Sequence, residues 1–303
     1  MQAHETEAFE HLLHDITCIA THTLDSFSTL TIEQTEKVID AVQGKTCQLD
    51  PAPTWIVKGF STLLSPFIAR LFNESLASDC FPERYKLAII RPLLKKTNMN
   101  ASQLKSYRPV SNLSFLEQFI LSGKHFSMPA APCQWYYKKH NNTETALIKV
   151  YDDLLTATEN GQMSALCLLD LTAAFDTVDH ELLLARLERI LDVRSRVFDW
   201  VKSYLIGRTY CAIYAGVSSS IKQVTCSVAL LFLLYTADLA DLAAKHGVTL
   251  YTFADDTQLY IHCEFHKMAT SRDVLERCIQ DIGHWMSANR LKLNPDKTEL
   301  LWT

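Results

Sequence analysis

Leu250-Tyr-Thr-Phe-Ala-Asp-Asp-Thr-Gln-Leu-Tyr-Ile261 decides how the rest of the chain is read. Two arms rich in β-branched and aromatic residues flank Asp255 and Asp256, which is the composition of a β-hairpin with acids at its tip. Asp tolerates turn geometry, so one reading is a tip bearing two solvated acids. The other is a hard oxygen site for a divalent cation. Mg²⁺ takes one or two carboxylates and completes its octahedron with water and phosphate oxygens.

Upstream, Leu168-Leu-Asp-Leu-Thr-Ala-Ala-Phe-Asp-Thr-Val-Asp-His180 offers a third acid. Ala165 to Leu169 is a continuous apolar run that suits a strand buried on both faces, and Asp170 closes it. An ionised carboxylate there is costly unless it is paired or binds a metal. The end of a strand is also where α/β enzymes hold ligands. Asp176 and Asp179 read more simply as helix caps. If Asp170 and Asp255–Asp256 stand on adjacent strands, three carboxylates converge, an arrangement suited to two-metal phosphoryl or nucleotidyl transfer.

Between Arg84 and Leu116 stand seven basic residues (Arg84, Lys86, Arg91, Lys95, Lys96, Lys105 and Arg108) and no acid. Such runs are commonly solvated faces. In a chain whose 34 Asp and Glu outnumber its 29 Lys and Arg, this one fits a surface facing phosphates of a nucleic acid or a triphosphate. The net charge of -5 excludes a histone-like or polybasic protein. With 48% hydrophobic residues, the 303-residue chain can bury one large core or two ordinary ones. Nine cysteines stand singly, with no C-x-x-C spacing, against a zinc ribbon or a secreted disulfide framework. Reduced thiols and an intracellular setting, nucleus or cytoplasm, are expected. Met1 to Glu10 lacks the apolar core of a signal peptide, and the longest apolar run, Val228 to Tyr235, is too short to span a bilayer. No membrane partner is expected.

Helical spacing and capping predict helices over Thr31–Gln43, Ile56–Leu76, Thr143–Thr158, Glu181–Leu205 with Asp179 as cap, Val228–His246 and Asp273–Asn289. In the second of these, Ile56, Leu63, Leu64, Phe67, Leu71, Phe72 and Leu76 form the stripe expected to be buried. Strands are expected over Lys86–Leu94 and Ala165–Leu169, in a hairpin of Tyr210–Tyr214 and Ile221–Thr225 about Gly216–Ser220, and as two short strands in Leu250–His262. Leu291 to Trp302 returns as an extended segment. The alternation in the second half implies an α/β or α+β core with helices packed on a sheet.

These motifs together carry a family resemblance. Phe253-Ala-Asp-Asp256 and the segment around Asp170 resemble the metal-binding motifs of the reverse transcriptase region of a non-long-terminal-repeat retrotransposon, of the vertebrate long-interspersed-element kind. Cys47-Gln-Leu-Asp-Pro-Ala-Pro-Thr-Trp55, Tyr107-Arg-Pro-Val-Ser-Asn112, Thr143-Glu-Thr-Ala-Leu147 and Leu291-Lys-Leu-Asn-Pro-Asp-Lys-Thr298 are similar to further family motifs, in the family's order. The resemblance runs from about Leu30 to the end. It implies an α+β fold of the polymerase palm-and-fingers type, with an antiparallel palm sheet backed by helices and no thumb within the chain. Residues 1–46 would be an N-terminal helical extension, 47–150 a fingers-like region and 151–303 a palm-like region. Asp170, Asp255 and Asp256 would bind two Mg²⁺ (or Mn²⁺) ions. Phe175 would lie under the sugar of the incoming nucleotide and exclude a 2′-hydroxyl. Lys95, Lys96 and Arg108 would sit near the triphosphate or template, and Lys297 near the departing pyrophosphate. The implied partners are an RNA template, a DNA primer and deoxynucleoside triphosphates.

Two stretches depart from the family pattern. The family carries a block rich in Gly, Pro and Gln before its Leu-Leu-Phe. Here Val224-Thr-Cys226 passes through only Ser227-Val-Ala229 to Leu230-Leu-Phe232, in keeping with just 8 glycines where about 20 are usual. Glycine lets backbone approach a substrate closely, so this loss strikes at nucleotide binding. Gln134-Trp-Tyr-Tyr-Lys138 replaces a Gln-Ser-Gly-Phe-Arg, with Tyr136 at the glycine position. Two functional readings follow: a reverse transcriptase domain with impaired positioning of its nucleotide, or a catalytically dead remnant with at most nucleic-acid binding.

Overall fold

The computed structural model describes residues 23–42, 44, 47–121, 143–172, 178–190, 192–223, 232, 235–253 and 256–303. Asp255, Phe175, the shortened block from Val224 to Leu231 and the Gln134–Lys138 segment lie outside the described residues.

In chain order, α1 (Ile32–Ala41), α2 (Thr54–Gly59) and α3 (Ser61–Ala77) lead into β1 (Leu87–Leu94), β2 (Tyr107–Asn112) and α4 (Phe115–Leu121). Next come α5 (Thr143–Glu159), β3 (Met163–Leu169), α6 (His180–Ile190), α7 (Ser195–Leu205) and the short strands β4 (Thr209–Tyr214), β5 (Val217–Ser218) and β6 (Lys222–Gln223). The chain continues as α8 (Leu239–Lys245), β7 (Thr249–Phe253), β8 (Asp256–Cys263), α9 (Met268–Ala288) and β9 (Glu299–Trp302). It divides into two compact units, both discontinuous: Thr21–Met128 with Leu191–Val224, and Met1–Ala20 with Pro129–Ile190 and Thr225–Thr303. These units cut across the three linear spans expected from sequence, since β4, β5 and β6 belong with β1 and β2.

In the first of these units, α1 starts where a capping box should start it. The Thr31 hydroxyl accepts from the Gln34 N–H at 3.1 Å, and the Gln34 side chain accepts from the Thr31 N–H at 3.0 Å. The expected helix over Ile56–Leu76 breaks at Phe60, whose φ of -117° and ψ of 28° leave helical space. Its buried side is only partly the expected one, since Phe72 and Leu76 of the stripe are buried and others are not. Ser65, Ala69, Phe72, Ser75 and Leu76 face inward, while Leu63, Phe67 and Leu71 are 64%, 69% and 41% exposed. α3 is apolar on two sides, and periodicity alone does not choose between them; the small residues on the inward side let α1 approach closely. Asn73 then locks the α1 approach, donating to the Leu30 carbonyl at 3.0 Å and accepting from the Leu30 N–H at 2.8 Å.

β1 pairs antiparallel with β2 and parallel with β4, and β4 turns into β5 through Ala215 and Gly216, both at positive φ. That two-residue turn matches the twist of the strands. The helix expected over Glu181–Leu205 is two helices. Asp192 and Ser195 adopt φ of 47° and 48°, and fully buried Val193 bridges Leu24 between them, so an extended residue pins the break. The core gathers Phe81, Trp200 and Tyr204, with Phe81 edge-on to both rings at 5.7 and 5.0 Å. Asp50 accepts from the Phe115 N–H at 2.7 Å and from the Cys47 N–H at 3.2 Å, tying the Cys47–Asp50 turn to α4. Glu117 is fully buried and paired with Arg208, whose guanidinium lies 4.5 Å over the Tyr204 ring; the Tyr204 hydroxyl donates to Glu117 at 3.1 Å.

The second unit is a four-stranded antiparallel sheet in the order β7-β8-β3-β9, with β3 central. Ala165, Cys167 and Leu169 of β3 are fully buried, whereas Leu166 and Leu168 are only half-buried. The strand is therefore dry on one face and not on both as expected. The dry side belongs to an antiparallel sheet backed by α9, through Leu275, Cys278 and Ile282. On the other side, Val150 and Leu154 of α5 pack on Leu166, Tyr251 and Tyr260. The Leu182 N–H donates to the Asp179 carboxylate at 2.9 Å, the cap expected at the start of α6. Buried Arg186 of α6 pairs with Asp238, donates to Asn289 at 3.0 Å and lies 5.1 Å from the Trp285 ring, so α6 and the last turn of α9 are joined. None of the helices among the described residues is long and apolar enough to cross a membrane, and the six described cysteines are free thiols.

Replacing Glu117 by Ala leaves the Arg208 charge buried without its carboxylate, so urea unfolding should show a loss of about 3–5 kcal/mol. The double replacement Glu117→Leu with Arg208→Met should recover most of that loss. A second expectation concerns His262 on β8, whose Nδ1 lies 2.8 Å from the Ser164 hydroxyl. Burial holds its pKa below the ordinary 6.5, and Asp153 only partly offsets this. As pH falls through 6.5 the unfolded chain takes the proton first, so stability is lost from there down to the lower folded value. Melting temperatures between about pH 7 and pH 5 should fall in the native protein, and this slope should flatten in His262→Gln.

Candidate catalytic cleft

β3 and β8 put two of the three predicted acids side by side. Their register ends with Leu169 opposite Thr257, Asp170 follows β3 directly and Asp256 opens β8, so one step beyond the last pair brings the two acids to the same end of the sheet. Asp256 is also the residue that closes the β7–β8 ladder, opposite Phe253. Side chains alternate along a strand, so Asp170 shares the face of Leu168, and Asp256 that of Gln258. Leu168 pairs with Gln258 on one side and with Glu299 of β9 on the other. This row opens into a cleft of about 400 Å³ lined by Asp170, Asp256, Gln258, Asp296, Lys297 and Glu299. α5 covers the same face further along, at Leu166 and Tyr260.

The C-terminal end of α9 delivers the cleft's last wall. Its final turn closes in a Schellman arrangement: the Leu291 N–H donates to the Met286 carbonyl at 2.8 Å, and the Arg290 N–H to Ser287 at 3.1 Å. Arg290 adopts the left-handed conformation, φ 56°, that reverses the chain, and its guanidinium pairs with Asp179. The returning segment then runs antiparallel to the residues after β3, through the Leu171–Leu293 bridge. The Thr172 N–H donates to Lys292 at 2.8 Å, and the Asn294 N–H to the Asp170 carbonyl at 2.9 Å. A short turn, Pro295–Lys297, brings Lys297 Nζ to 3.0 Å from Asp170 Oδ2, and Asn294 Nδ2 donates to the same oxygen at 3.1 Å.

Of the predicted site residues, Asp170, Asp256 and Lys297 therefore meet in one cleft. Lys95, Lys96 and Arg108 lie in the other unit, on the hairpin of β1 and β2. There Arg108 faces Leu93, and the Lys95 ammonium donates to the Lys105 carbonyl at 2.9 Å. Asp255 and Phe175 lie outside the described residues. Sequence reasoning missed Asn294, Asp296 and Glu299. All three sit in or beside the Leu291–Thr298 motif, and their polarity alone does not separate them from a solvated turn.

The acids of the cleft offer oxygen donors only, the chemistry that Mg²⁺ and Mn²⁺ accept. Among the described residues no three His, Cys, Asp or Glu side chains stand close enough together to hold an ion. Asp170 and Asp256 are the two carboxylates of the cleft that could serve such an ion, with Asp255 adjoining Asp256 in the chain.

The family model for reverse transcriptase (RNA-dependent DNA polymerase) matches residues 94–303. The RNA-directed DNA polymerase from mobile element jockey of Drosophila melanogaster is 28% identical over 76% of this chain and 27% of its own length. Its counterpart from Drosophila funebris is 26% identical over the same shares. The probable RNA-directed DNA polymerase from transposon BS of Drosophila melanogaster is 24% identical over 97% of this chain and 35% of its own length. The chain thus spans about a quarter to a third of the length of these relatives. Its match to the family model covers well over half of its residues, and so the chain belongs to the reverse transcriptase (RNA-dependent DNA polymerase) family.

Proposed function

We propose that the chain is the polymerase domain of a retrotransposon protein of the long-interspersed-element type, extending a DNA primer on an RNA template with deoxynucleoside triphosphates. The observation that carries this reading is the placement of Asp170 and Asp256 at adjoining register positions in one open cleft, with Lys297 beside them. The β3–β8 unit is then the palm, and the unit carrying β1 and β2 contains the fingers. The reading places its work inside the cell, in nucleus or cytoplasm, in keeping with the free thiols of the six described cysteines.

In the reaction the primer 3′-hydroxyl attacks the α-phosphorus of the triphosphate, a new P–O bond forms, and the bond to pyrophosphate breaks. Asp170, Asp255 and Asp256 would hold the divalent cations, Mg²⁺ or Mn²⁺, whose charge would lower the pKa of the attacking hydroxyl and offset that of the phosphates. Lys297 would present its ammonium where pyrophosphate charge develops, and the family resemblance assigns Phe175 the exclusion of a 2′-hydroxyl. Lys95, Lys96 and Arg108 bind phosphate oxygens of the template or triphosphate. Nucleotidyl transfer depends on holding reactants in line, so the shortened block from Val224 to Leu231 lowers the rate without removing the acids. That shortening also supports the second reading, a palm that no longer polymerises.

Primer extension on an annealed RNA template with Mg²⁺ or Mn²⁺ decides between them. Slow extension is expected, falling by about 10²–10³-fold in Asp170→Asn and in Lys297→Ala as charge stabilisation is lost. No extension from a chain shown to be folded would establish the inactive remnant.

A further inference from the structure

Asp170 is held by two different donors at one oxygen. Oδ2 receives the Lys297 ammonium at 3.0 Å and the Asn294 amide N–H at 3.1 Å. Asn294 also grips the backbone of the same residue, its own N–H donating to the Asp170 carbonyl at 2.9 Å. Its carbonyl in turn accepts from the Lys297 N–H at 3.2 Å and the Thr298 hydroxyl at 3.0 Å, so the turn bearing Lys297 is built on it. Among the described residues nothing donates to Asp170 Oδ1. Among the described residues the carboxylate thus has one oxygen fastened to the returning segment and the other without a donor, on a residue that lines the cleft with its side chain 30% exposed.

We propose that Asn294 is the positioning residue of the cation site: its neutral amide fixes the rotation of the Asp170 carboxylate, so that Oδ1 is presented to a divalent cation. This rests on the reading of Asp170 as a cation ligand. Lys297 touches the same oxygen but acts differently. An ammonium orients the carboxylate and also competes with a cation for its charge. An amide orients it and leaves the full negative charge available. Hydrogen-bond partners of ligating carboxylates commonly govern metal affinity in this way.

The side chain can be removed without disturbing the backbone pairing, which uses the Asn294 N–H and not its amide. Mn²⁺ alone is the probe, with free ion measured by electron paramagnetic resonance over the purified chain, alongside melting curves. Asn294→Ala should weaken Mn²⁺ binding about tenfold or more with an unchanged melting temperature. Lys297→Ala should shift affinity the opposite way, toward tighter binding. If Asn294→Ala melts early, Asn294→Leu, of similar size and without the donor, takes its place with the same expectation. Asp170→Asn reports on the underlying reading. Where it weakens binding and the Asn294 variants stay within twofold of the native protein, the positioning role is overturned and the reading stands. Where the native chain shows no Mn²⁺ binding that Asp170→Asn weakens, both fall together.

Discussion

The register between β3 and β8 is the constraint on which the cleft depends. Because side chains alternate, a slip of one residue would move Asp170 from the open face to the face packed by α9. It would at the same time turn Ala165, Cys167 and Leu169 out of the core. The apolar side of β3 therefore fixes the position of the acid that follows it: burial of three side chains sets which way a fourth points. β8 carries the matching pattern, with Leu259 fully buried opposite Cys167 and Asp256 at the exposed end. Asp256 is doubly fixed, because it also ends the β7 ladder.

A sheet alone would not complete the site, since its last wall comes from a chain that has left the sheet and returned. That return depends on buried polar contacts in place of apolar packing. Arg186 reaches Asp238 and Asn289, and the Tyr235 hydroxyl donates to the Asn289 carbonyl at 2.7 Å, at the last turn of α9. Such groups are expensive to bury, and apolar replacements of similar volume are often as stable. Their directionality has a structural consequence here. They fix where α9 ends, hence where Arg290 turns the chain and where Asn294 meets Asp170. The Glu117–Arg208–Tyr204 cluster has the same character in the other unit, joining α4 to the segment that enters β4.

Local signals were legible in the sequence wherever chemistry at short range decides the outcome. Thr31 and Gln34 mark the start of α1, Asp179 caps α6, and the arms around Asp255–Asp256 form β7 and β8. Reverse transcriptase membership was legible too, because several short motifs stand in a fixed order. What sequence did not reveal depends on partners distant in the chain. Leu63, Phe67 and Leu71 match the helical period as well as the residues that are buried, and only the approach of α1 selects the other side. The break after α6 depends on Val193 meeting Leu24, some 169 positions away. Asn294 lay within a recognised motif, yet its role emerges only once the returning segment is seen paired with Asp170.

The charge of the cleft follows from the same construction. Among the described lining residues, the carboxylates of Asp170, Asp256, Asp296 and Glu299 outnumber the one ammonium, that of Lys297. Lys297 is engaged at Asp170 Oδ2. A bare triphosphate entering this cleft meets like charge. The same field concentrates cations, which strengthen every later approach of a phosphate. On the proposed reading, a cation would therefore bind before the nucleotide. In the proposed site Lys297 would balance part of the acidic charge, and Asn294 would fix the rotation of the Asp170 carboxylate that the cation meets.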